Sequence, residues 1–488
     1  MSPTPLNPDS FNTLIFDIGD VLCFYALQKS SRPGKIPPKI LKRIISSTIW
    51  EDYEKGLIDE GTCYERASFT FQVDADDLRI ALDEARETLV FRPEMMSLLQ
   101  ELKLQGNFRL YAMSNVSLSD FQFLSTKFDF SIFDEVYTSY AMHERKPDLA
   151  FYRRVLMEIG GDPEKMIFID DKPENVLSAK SFGIHTIVFK DSESLRRQLL
   201  NLLGNPVERA KKYLEKNAGR LNTVTSTGVA FMENFSQLLI YELTGDQELV
   251  KLVENRRIWN FFQGKGILTD IHYPDDLDTT SLALTIMEVP EDVVQSVMEE
   301  MLKYQNNDGI ILTYFDNTRL HFDPVVCVNV LNLFYLHGQG HRLSQTLDWV
   351  HRVLETRAYL DGTRYYASAE IFLFFLVRFL KNVPDSKVHD MFVPVLKERI
   401  QELVGSKGDS LTYAIRILVC HYLGIFDHRD FWELSHLQCE DGSWETGWLY
   451  KYGKTTILIG NCGLTTALAM KAMEVMMARD SVLESSSL

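Results

Sequence analysis

The chain has 488 residues, of which 51 are Lys or Arg and 68 are Asp or Glu, so its formal net charge is −17. Hydrophobic residues make up 45% and charged residues 24%, ordinary values for a globular protein of two or three domains. The acidity argues against general nucleic-acid binding, which needs a basic face. It does not exclude a small anionic substrate, because a few local cations and Mg²⁺ are enough to bind one.

Neither the cysteines nor the N-terminus indicates secretion. The six cysteines are scattered without a CxxC pair, which is typical of reduced thiols in an intracellular protein. The segment MSPTPLNPDS lacks the basic and apolar regions of a secretory signal. The most apolar run, near 369–380, is too short to span a bilayer and contains Arg378. We therefore predict a cytoplasmic protein without stable membrane insertion.

The first 200 residues alternate between strand and helix signals. Short apolar runs predict buried strands at 13–18, 109–114, 135–139, 166–170 and 185–189. This alternation predicts a doubly wound parallel sheet, in which ligands bind at the carboxyl ends of the strands. A helical insertion over about 25–95 is too long for a simple crossover.

Side chains suited to phosphoryl chemistry follow these strands. A carboxylate can act as a nucleophile on phosphorus, and a second carboxylate can share a Mg²⁺ with it. A hydroxyl and an ammonium group can hold the remaining phosphate oxygens. The residues at these positions are Asp17 in FDIGDVL, Ser114 and Asn115 after the second strand, Lys146 in ERKPDLAFY, and Asp170 and Asp171 in IFIDDKPEN.

These four motifs resemble those of haloacid-dehalogenase-superfamily (HAD) hydrolases, and the insertion over 25–95 resembles that family's helical cap. The resemblance implies that Asp17 is the nucleophile. It also implies that phosphate is bound by Ser114, Asn115 and Lys146. Mg²⁺ would be bound by Asp17, the Gly19 carbonyl, Asp171 and Asp170.

The first motif departs from the family pattern. The usual sequence is DxDx[TV], whose second Asp is the general acid and base. Here Gly19 occupies that position and Asp20 follows one residue later. Some relatives with an FDxG pattern are still phosphatases, so both an active site and an inactive HAD scaffold are compatible with this motif.

A different pattern begins near residue 205. The Gly-Asn-Pro break and the highly charged helix predicted after it indicate a linker over 205–215. Beyond it few segments have the pattern of a strand, and the sequence predicts successive helices over residues 216–480. An Asp-Gly turn recurs in QNNDGII (305–311), YLDGTRYY (359–366) and QCEDGSW (438–444), which suggests stacked helical hairpins.

The segment YPDDLDTTSLALTIM (273–287) carries a second acidic cluster. Helix capping explains one Asp and one Thr, but not a whole DDLDTT cluster before so apolar a run. A carboxylic acid at the mouth of an apolar cavity has a raised pKa and can stay protonated as a proton donor. Neighbouring aromatic rings suit a carbocation, although core packing is the simpler interpretation of each one: Trp259, Phe261, Phe262 and Tyr273.

Residues 276–280 have the DxDTT form of the class II terpene cyclase motif, and the Asp-Gly-aromatic repeats resemble the QW motifs of the same superfamily. The resemblance implies that Asp278 protonates the terminal alkene of a prenyl diphosphate, supported by Asp276 and Thr279. Candidates for binding the diphosphate are Arg256, Arg257, Lys451 and Lys454, for each of which a solvated surface charge is the alternative.

The segment IDDKPEN offers a competing interpretation. Asp170, Asp171 and Glu174 form a DDxxE pattern that resembles the metal motif of class I terpene synthases. Those enzymes need a second metal motif, and no such motif occurs at a suitable spacing. We therefore assign the segment to the HAD site.

Together the two halves resemble HAD-fused drimane-type sesquiterpene synthases, the group of drimenol, drimanyl phosphate and albicanol synthases. We expect an α/β HAD-like domain over 1–204, a linker over 205–215 and an all-α α/α-barrel class II cyclase domain over 216–488. The resemblance implies protonation-initiated cyclisation of farnesyl diphosphate and then Mg²⁺-dependent removal of phosphate by the HAD domain. The alternatives are a cyclase with an inactive HAD domain, a phosphatase of another ester with a helical interaction domain, and a non-enzymatic scaffold.

Overall fold

The computed structural model describes residues 11–25, 36–253, 257–267, 269, 273–453 and 455–485. The chain divides into two compact units between Leu203 and Gly204. Among the described residues, none of the helices combines the length and the apolar character that crossing a membrane requires.

The first unit is built on a parallel sheet of five strands within the described residues, in the spatial order β5-β4-β1-β6-β7. Their bounds are β1 Thr13–Phe16, β4 Arg109–Ser114, β5 Glu135–Thr138, β6 Met166–Asp170 and β7 His185–Val188. Because β1 is paired with β4 on one side and β6 on the other, the residues that follow these three strands meet at one edge of the sheet. The predicted α/β fold is confirmed.

Helices cover this sheet and form the insertion. The insertion begins and ends with the antiparallel strands β2 Cys23–Tyr25 and β3 Leu89–Phe91. It contains α1 Pro38–Ile45, α2 Thr48–Glu54, α3 Glu60–Phe71 and α4 Ala75–Glu87, which share a buried core around Ile44, Tyr53 and Leu78. The remaining helices of the unit are α5 Pro93–Gln105, α6 Leu118–Lys127, α7 Ser139–Met142, α8 Leu149–Ile159, α9 Pro173–Lys180 and α10 Ser192–Leu203.

The second unit is a barrel of paired helices. Its inner helices contact one another in the closed order α12-α13-α15-α17-α19-α21-α12. They are α12 Asn234–Thr244, α13 Leu277–Ile286, α15 Pro324–Leu336, α17 Ala369–Asn382, α19 Ser410–Tyr422 and α21 Cys462–Ser485. The outer helices are α11 Pro206–Lys216, α14 Glu291–Met301, α16 Ser344–Glu355, α18 Ser386–Leu403 and α20 His428–His436. Inner helices such as α15 are apolar on all sides because both of their faces are buried.

The segment predicted as a linker is instead helix α11 of this unit. The Asn205 side chain accepts hydrogen bonds from the backbone N–H groups of Val207 and Glu208, and Pro206 opens the helix. The charged helix predicted here is present, but it belongs to the second unit. The helix is fixed by a hydrogen bond of 2.6 Å from Arg209 Nη2 to the Cys439 carbonyl.

The predicted helical barrel also carries a small sheet, which the sequence analysis did not predict. An antiparallel sheet joins strands in the order β10-β11-β8-β9. Its strands are β8 Thr223–Thr225, β9 Ala230–Phe231, β10 Trp448–Lys451 and β11 Leu458–Asn461. With two to four residues each, they are too short for an alternating pattern to be recognised in the sequence.

The recurring Asp-Gly turns each lie between an outer helix and the next inner helix, as the repeat suggested. Gly309, Gly362 and Gly442 have φ values of 76°, 74° and 93°, a region that favours glycine. A Cβ atom on Gly442 would lie 2.2 Å from the Arg209 carbonyl oxygen. Two residues later Trp444 is fully buried, and its Nε1 donates to the Leu434 carbonyl at 2.8 Å.

We predict that Trp444→Ala lowers the free energy of unfolding of the second unit by about 3–5 kcal/mol, since it removes a large buried ring. Denaturant unfolding followed by circular dichroism measures this change. Leu320→Ala serves as the control because this side chain is 66% exposed, and it should change stability little. Equal stability of the two variants would contradict a structural role for the turn motif.

Candidate active sites

The first site lies at the carboxyl edge of the parallel sheet. Asp17 follows the central strand β1, and Asp170 ends the neighbouring strand β6. The buried Lys146 joins them, with its Nζ 2.8 Å from Asp17 Oδ1 and 2.6 Å from Asp170 Oδ2. Lys146 Nζ also donates to the Met113 carbonyl at 2.8 Å, so the ammonium group is held in one position.

Ser114 and Asn115 have different surroundings. Ser114 ends β4, is buried and lines a cavity in front of this edge. Asn115 also lines the cavity, but both ends of its amide bind the main chain of Lys146, with Nδ2 donating to the carbonyl and Oδ1 accepting from the N–H, each at 2.8 Å. The geometry therefore favours Asn115 as the residue that positions Lys146.

The carboxylates of this site can surround a cation. Ligand atoms of Asp17, Asp170 and Asp171 lie within 4.8 Å of one another. Asp170 is already saturated, since its oxygens accept from Lys146 Nζ, the Lys172 N–H and Asn175 Nδ2. Asp171 Oδ1, by contrast, is buried without a hydrogen-bond partner in the described part of the chain. A buried, unpaired carboxylate oxygen beside Asp17 fits a hard cation such as Mg²⁺.

The pKa values of these acids agree with a cationic partner. Burial raises the pKa of Asp17 to about 7, although Lys146 opposes this shift. Burial and the nearby Asp170 charge raise the pKa of Asp171. Burial alone would lower the pKa of Lys146, but Asp17 and Asp170 raise it, so the ammonium stays charged. A bound cation would favour the ionised carboxylates.

The cavity in front of this edge has a volume of about 140 Å³ and a wall of both apolar and polar residues. Gly19 and Asp20 line it, and Asp20 has a left-handed backbone with φ 57°. The apolar lining comes from Phe24, Tyr25, Trp50, Leu89, Phe123 and Leu124. Glu54, Arg86 and Asp120 also line the cavity, so the wall combines apolar and charged side chains.

The second site lies at the N-terminal end of α13. Asp276 caps this helix, with Oδ1 accepting from the Thr279 N–H at 2.6 Å. Asp278 lies in the first helical turn and accepts at both oxygens, from Tyr366 OH at 2.5 Å and from Asn329 Nδ2 at 2.8 Å. Asp276 Oδ2 is buried without a partner among the described residues.

Burial sets the protonation of both acids. It raises the pKa of Asp276 to about 8, with a further contribution from Asp278. It raises the pKa of Asp278 to about 7, while the Tyr366 and Asn329 hydrogen bonds act in the opposite direction. Near neutral pH Asp276 is therefore mostly protonated and Asp278 is poised to lose a proton.

A cavity of about 240 Å³ opens from these two acids, and its wall is mostly aromatic. The aromatic lining comprises Phe235, Phe261, Phe262, Tyr273, Tyr314, Tyr365, Tyr366, Tyr450 and Tyr452. The cavity is also lined by the half-buried cations Arg319, Arg364 and Lys451. Arg364 and Lys451 form no ion pair with any carboxylate of the described residues.

Of the cations suggested by the sequence, Lys451 lines the cavity. Arg257 instead pairs with Glu300 and donates to Ser296. Arg256 and Lys454 lie outside the described residues. Sequence reasoning missed Arg319 and Arg364, although Arg364 follows the second Asp-Gly turn, and a loop entering an inner helix is the kind of segment that reaches a barrel mouth.

Two family models and several known proteins match the chain. Residues 207–337 match the sesquiterpene cyclase astC-like C-terminal domain, and residues 11–183 match the haloacid dehalogenase-like hydrolases. Drimenol cyclase drtB of Aspergillus calidoustus is 42% identical over 463 residues, which are 94% of this chain and 87% of that protein. Sesquiterpene phosphatase astK of Aspergillus oryzae is 34% identical over 198 residues, 40% of this chain and 98% of that protein.

Among solved structures, the first unit is similar to a HAD-family enzyme of Bacteroides thetaiotaomicron. The identity is 23% and the TM-score 0.31, over 37% of this chain and 94% of that chain.

Proposed function

Because the chain belongs to the drimenol cyclase family of sesquiterpene cyclases with a HAD-type phosphatase domain, we propose that its substrate is farnesyl diphosphate and its product a drimane-type bicyclic alcohol or monophosphate. The barrel unit would close two rings, and the HAD unit would then remove phosphate. One observation carries this proposal: the second cavity is lined by buried acids, by aromatic side chains and by half-exposed cations.

Cyclisation begins with the transfer of a proton from Asp278 to the distal double bond of the substrate. The electrons of that double bond form the new C–H bond, and the resulting cation is attacked by the next double bonds in turn. Aromatic faces such as Tyr366 and Phe235 stabilise the cation without reacting with it. Loss of a proton from the bicyclic cation gives an alkene, and the diphosphate stays attached.

Arg319, Arg364 and Lys451 would bind the diphosphate. Arg364 Nε contacts Tyr365 OH at 3.2 Å, and Lys451 Nζ contacts the Asp361 carbonyl at 3.3 Å. The charged groups of Arg364 and Lys451 thus contact neutral oxygen atoms, and their positive charge is available to bind an anion. The substrate would enter with its hydrocarbon end first, which brings the distal double bond to the acids.

In the HAD unit Asp17 would attack phosphorus, with the phosphate oxygens held by Ser114 and Lys146. Asp17, the Gly19 carbonyl and Asp171 would hold Mg²⁺, and Asp170 would fix Lys146. When bound, Mg²⁺ neutralises charge on the phosphate oxygens. Asp20 lines the cavity one residue after the usual acid position and is our candidate for protonating the leaving oxygen, which belongs to the monophosphate ester or, in a second round, to the alcohol. Water would then hydrolyse the phosphate bound to Asp17, which frees inorganic phosphate and restores the carboxylate.

We predict that Asp278→Asn abolishes cyclisation, whereas Asp17→Asn leaves cyclisation intact and accumulates the bicyclic diphosphate. The reason is that each variant removes the reacting group of one unit only. Mass spectrometry of products from farnesyl diphosphate with Mg²⁺, with and without added phosphatase, measures both effects. Bicyclic product from Asp278→Asn would refute the assignment of the acid, and an unchanged product mixture from Asp17→Asn would reduce the HAD unit to a scaffold.

We also predict that the single-turnover rate of cyclisation falls about tenfold per pH unit above pH 7, because only protonated Asp278 can donate a proton. Asp278 has a raised pKa, so its active form is present below that value and is lost as the pH rises through it. Rapid-quench assays at pH 5.5–9 test this, with circular dichroism at each pH as the control for folding. A rate that stays constant up to pH 9 would contradict the prediction.

Finally, Arg364→Met and Lys451→Met should each raise the KM for farnesyl diphosphate about tenfold, since each removes a charge-assisted contact. Arg257→Met is the matched control, because Arg257 is a partly exposed arginine paired with Glu300. Steady-state assays separate KM from kcat. If all three variants raised the KM equally, the effect would reflect the loss of any positive charge on the protein. The assignment of the diphosphate site to this cavity would then be contradicted.

A further inference from the structure

A chain of polar side chains leads away from the cavity behind Asp278, and the steps above do not use it. From this arrangement we propose that Arg378 is a positioning residue for cyclisation, which fixes the amide of Asn329 so that its NH₂ group faces Asp278. The proposal rests on the role of Asp278 as proton donor. It assigns a function to an arginine that interrupts the apolar run of α17.

The residues of this chain lie on neighbouring inner helices. Asn329 on α15 donates from Nδ2 to Asp278 on α13 at 2.8 Å, and its Oδ1 lies 3.5 Å from Arg378 Nη1 on α17. Arg378 is itself fixed by Glu242 on α12, whose two carboxylate oxygens are each 2.8 Å from Nε. Its Nη2 donates to Thr285 Oγ1 at 2.6 Å.

The guanidinium decides which way the Asn329 amide points. Arginine has only donors, so an amide NH₂ turned towards Arg378 would meet like partial charge. The amide oxygen therefore faces Arg378 and the NH₂ faces Asp278. The Nη1–Oδ1 contact of 3.5 Å is long, so its effect is electrostatic orientation more than a strong hydrogen bond.

This orientation matters for proton transfer. An NH₂ donor stabilises the carboxylate that Asp278 becomes after it gives up its proton, and so favours the transition state over the resting acid. A flipped Asn329 amide would turn Oδ1 towards Asp278 and accept a hydrogen bond from the protonated acid. That hydrogen bond would hold the proton that Asp278 must transfer to the substrate. Arg378 thus selects the amide orientation that makes Asp278 the stronger acid.

Stability alone does not account for this arginine. The Arg378 side chain is 7% exposed, and burying an ion pair costs desolvation that its attraction to Glu242 barely offsets. An apolar side chain of similar length would fill the same space in α17 at no such cost. A role in the reaction gives a reason for the charge.

A double-mutant cycle tests the proposal. Asn329→Leu should slow single-turnover cyclisation about 100-fold, and Arg378→Met about tenfold, with little change in KM. If Arg378 acts through Asn329, the double variant is no slower than Asn329→Leu alone. Multiplied effects in the double variant, or a rate unchanged by Arg378→Met, would overturn the proposal.

The pH dependence gives a second readout that a purely structural role would not move. Asp278 is faced by Asp276, Asp323, Tyr366, Asn329 and Arg378. Removing the Arg378 guanidinium should shift the fall in cyclisation rate to higher pH, because an Asn329 amide that is no longer held in this orientation stabilises ionised Asp278 less. An unshifted profile would overturn the proposal.

Two further variants control for folding. Arg399→Met removes an equally buried arginine, 8% exposed and paired with Glu402 on α18, and should lower stability without changing the cyclisation rate. If Arg378→Met does not fold, Glu242→Gln is the alternative, because Glu242 is partly exposed and its substitution weakens the contact that fixes Arg378. We expect Glu242→Gln to slow cyclisation severalfold. In the Asn329→Leu background the same substitution should cause no further slowing. Full activity of Asp278→Asn would instead refute the proposed function itself.

Discussion

The burial of two carboxyl groups in an apolar barrel is the constraint on which the second unit depends. Desolvation raises the pKa values of Asp276 and Asp278 and keeps them protonated near neutral pH. A buried acid is useful only if the carboxylate it leaves is also stabilised, and Tyr366 and Asn329 supply donors for that state. The inner helices that carry these groups are otherwise mostly apolar and buried, which keeps water from the acids.

The first unit uses the same residue type under the opposite condition. Asp17 and Asp170 are buried, but Lys146 lies between them and an unpaired oxygen of Asp171 lies nearby. Burial raises the pKa of Asp17 here too, and it is a cation bound at this site that would favour the ionised carboxylates. Nucleophilic attack requires an ionised acid, whereas alkene protonation requires a neutral one. One pocket cannot hold its carboxyl groups in both states, which is a physical reason for two separate units.

Local patterns in the sequence predicted the residues that we propose to react, whereas tertiary contacts determine which residues would assist them. Asp17 directly follows a strand, and Asp278 lies in the first turn of a helix. The sequence patterns that predict such a strand end and helix start extend over only a few consecutive residues. Asn329 and Arg378 lie within apolar helices and reach Asp278 only through barrel closure, so no spacing in the sequence connects them. Phosphate binding by Asn115 stays a prediction, but its motif position did not reveal that its amide side chain holds the main chain of Lys146. Likewise, the pattern around Asn205 and Pro206 did not reveal that the charged helix belongs to the second unit.

The net charge of −17 bears on the substrate only through its local distribution. Arg364 and Lys451 have no carboxylate partner among the described residues, so a low-dielectric cavity focuses their charge on an entering anion. The proposed chemistry also requires that the diphosphate bind away from Asp278. A diphosphate beside Asp278 would raise its pKa further and weaken it as an acid. Keeping the anion at the half-exposed part of the cavity leaves the acid strong and the diphosphate intact, so the phosphate ester survives cyclisation and becomes the substrate of the second reaction.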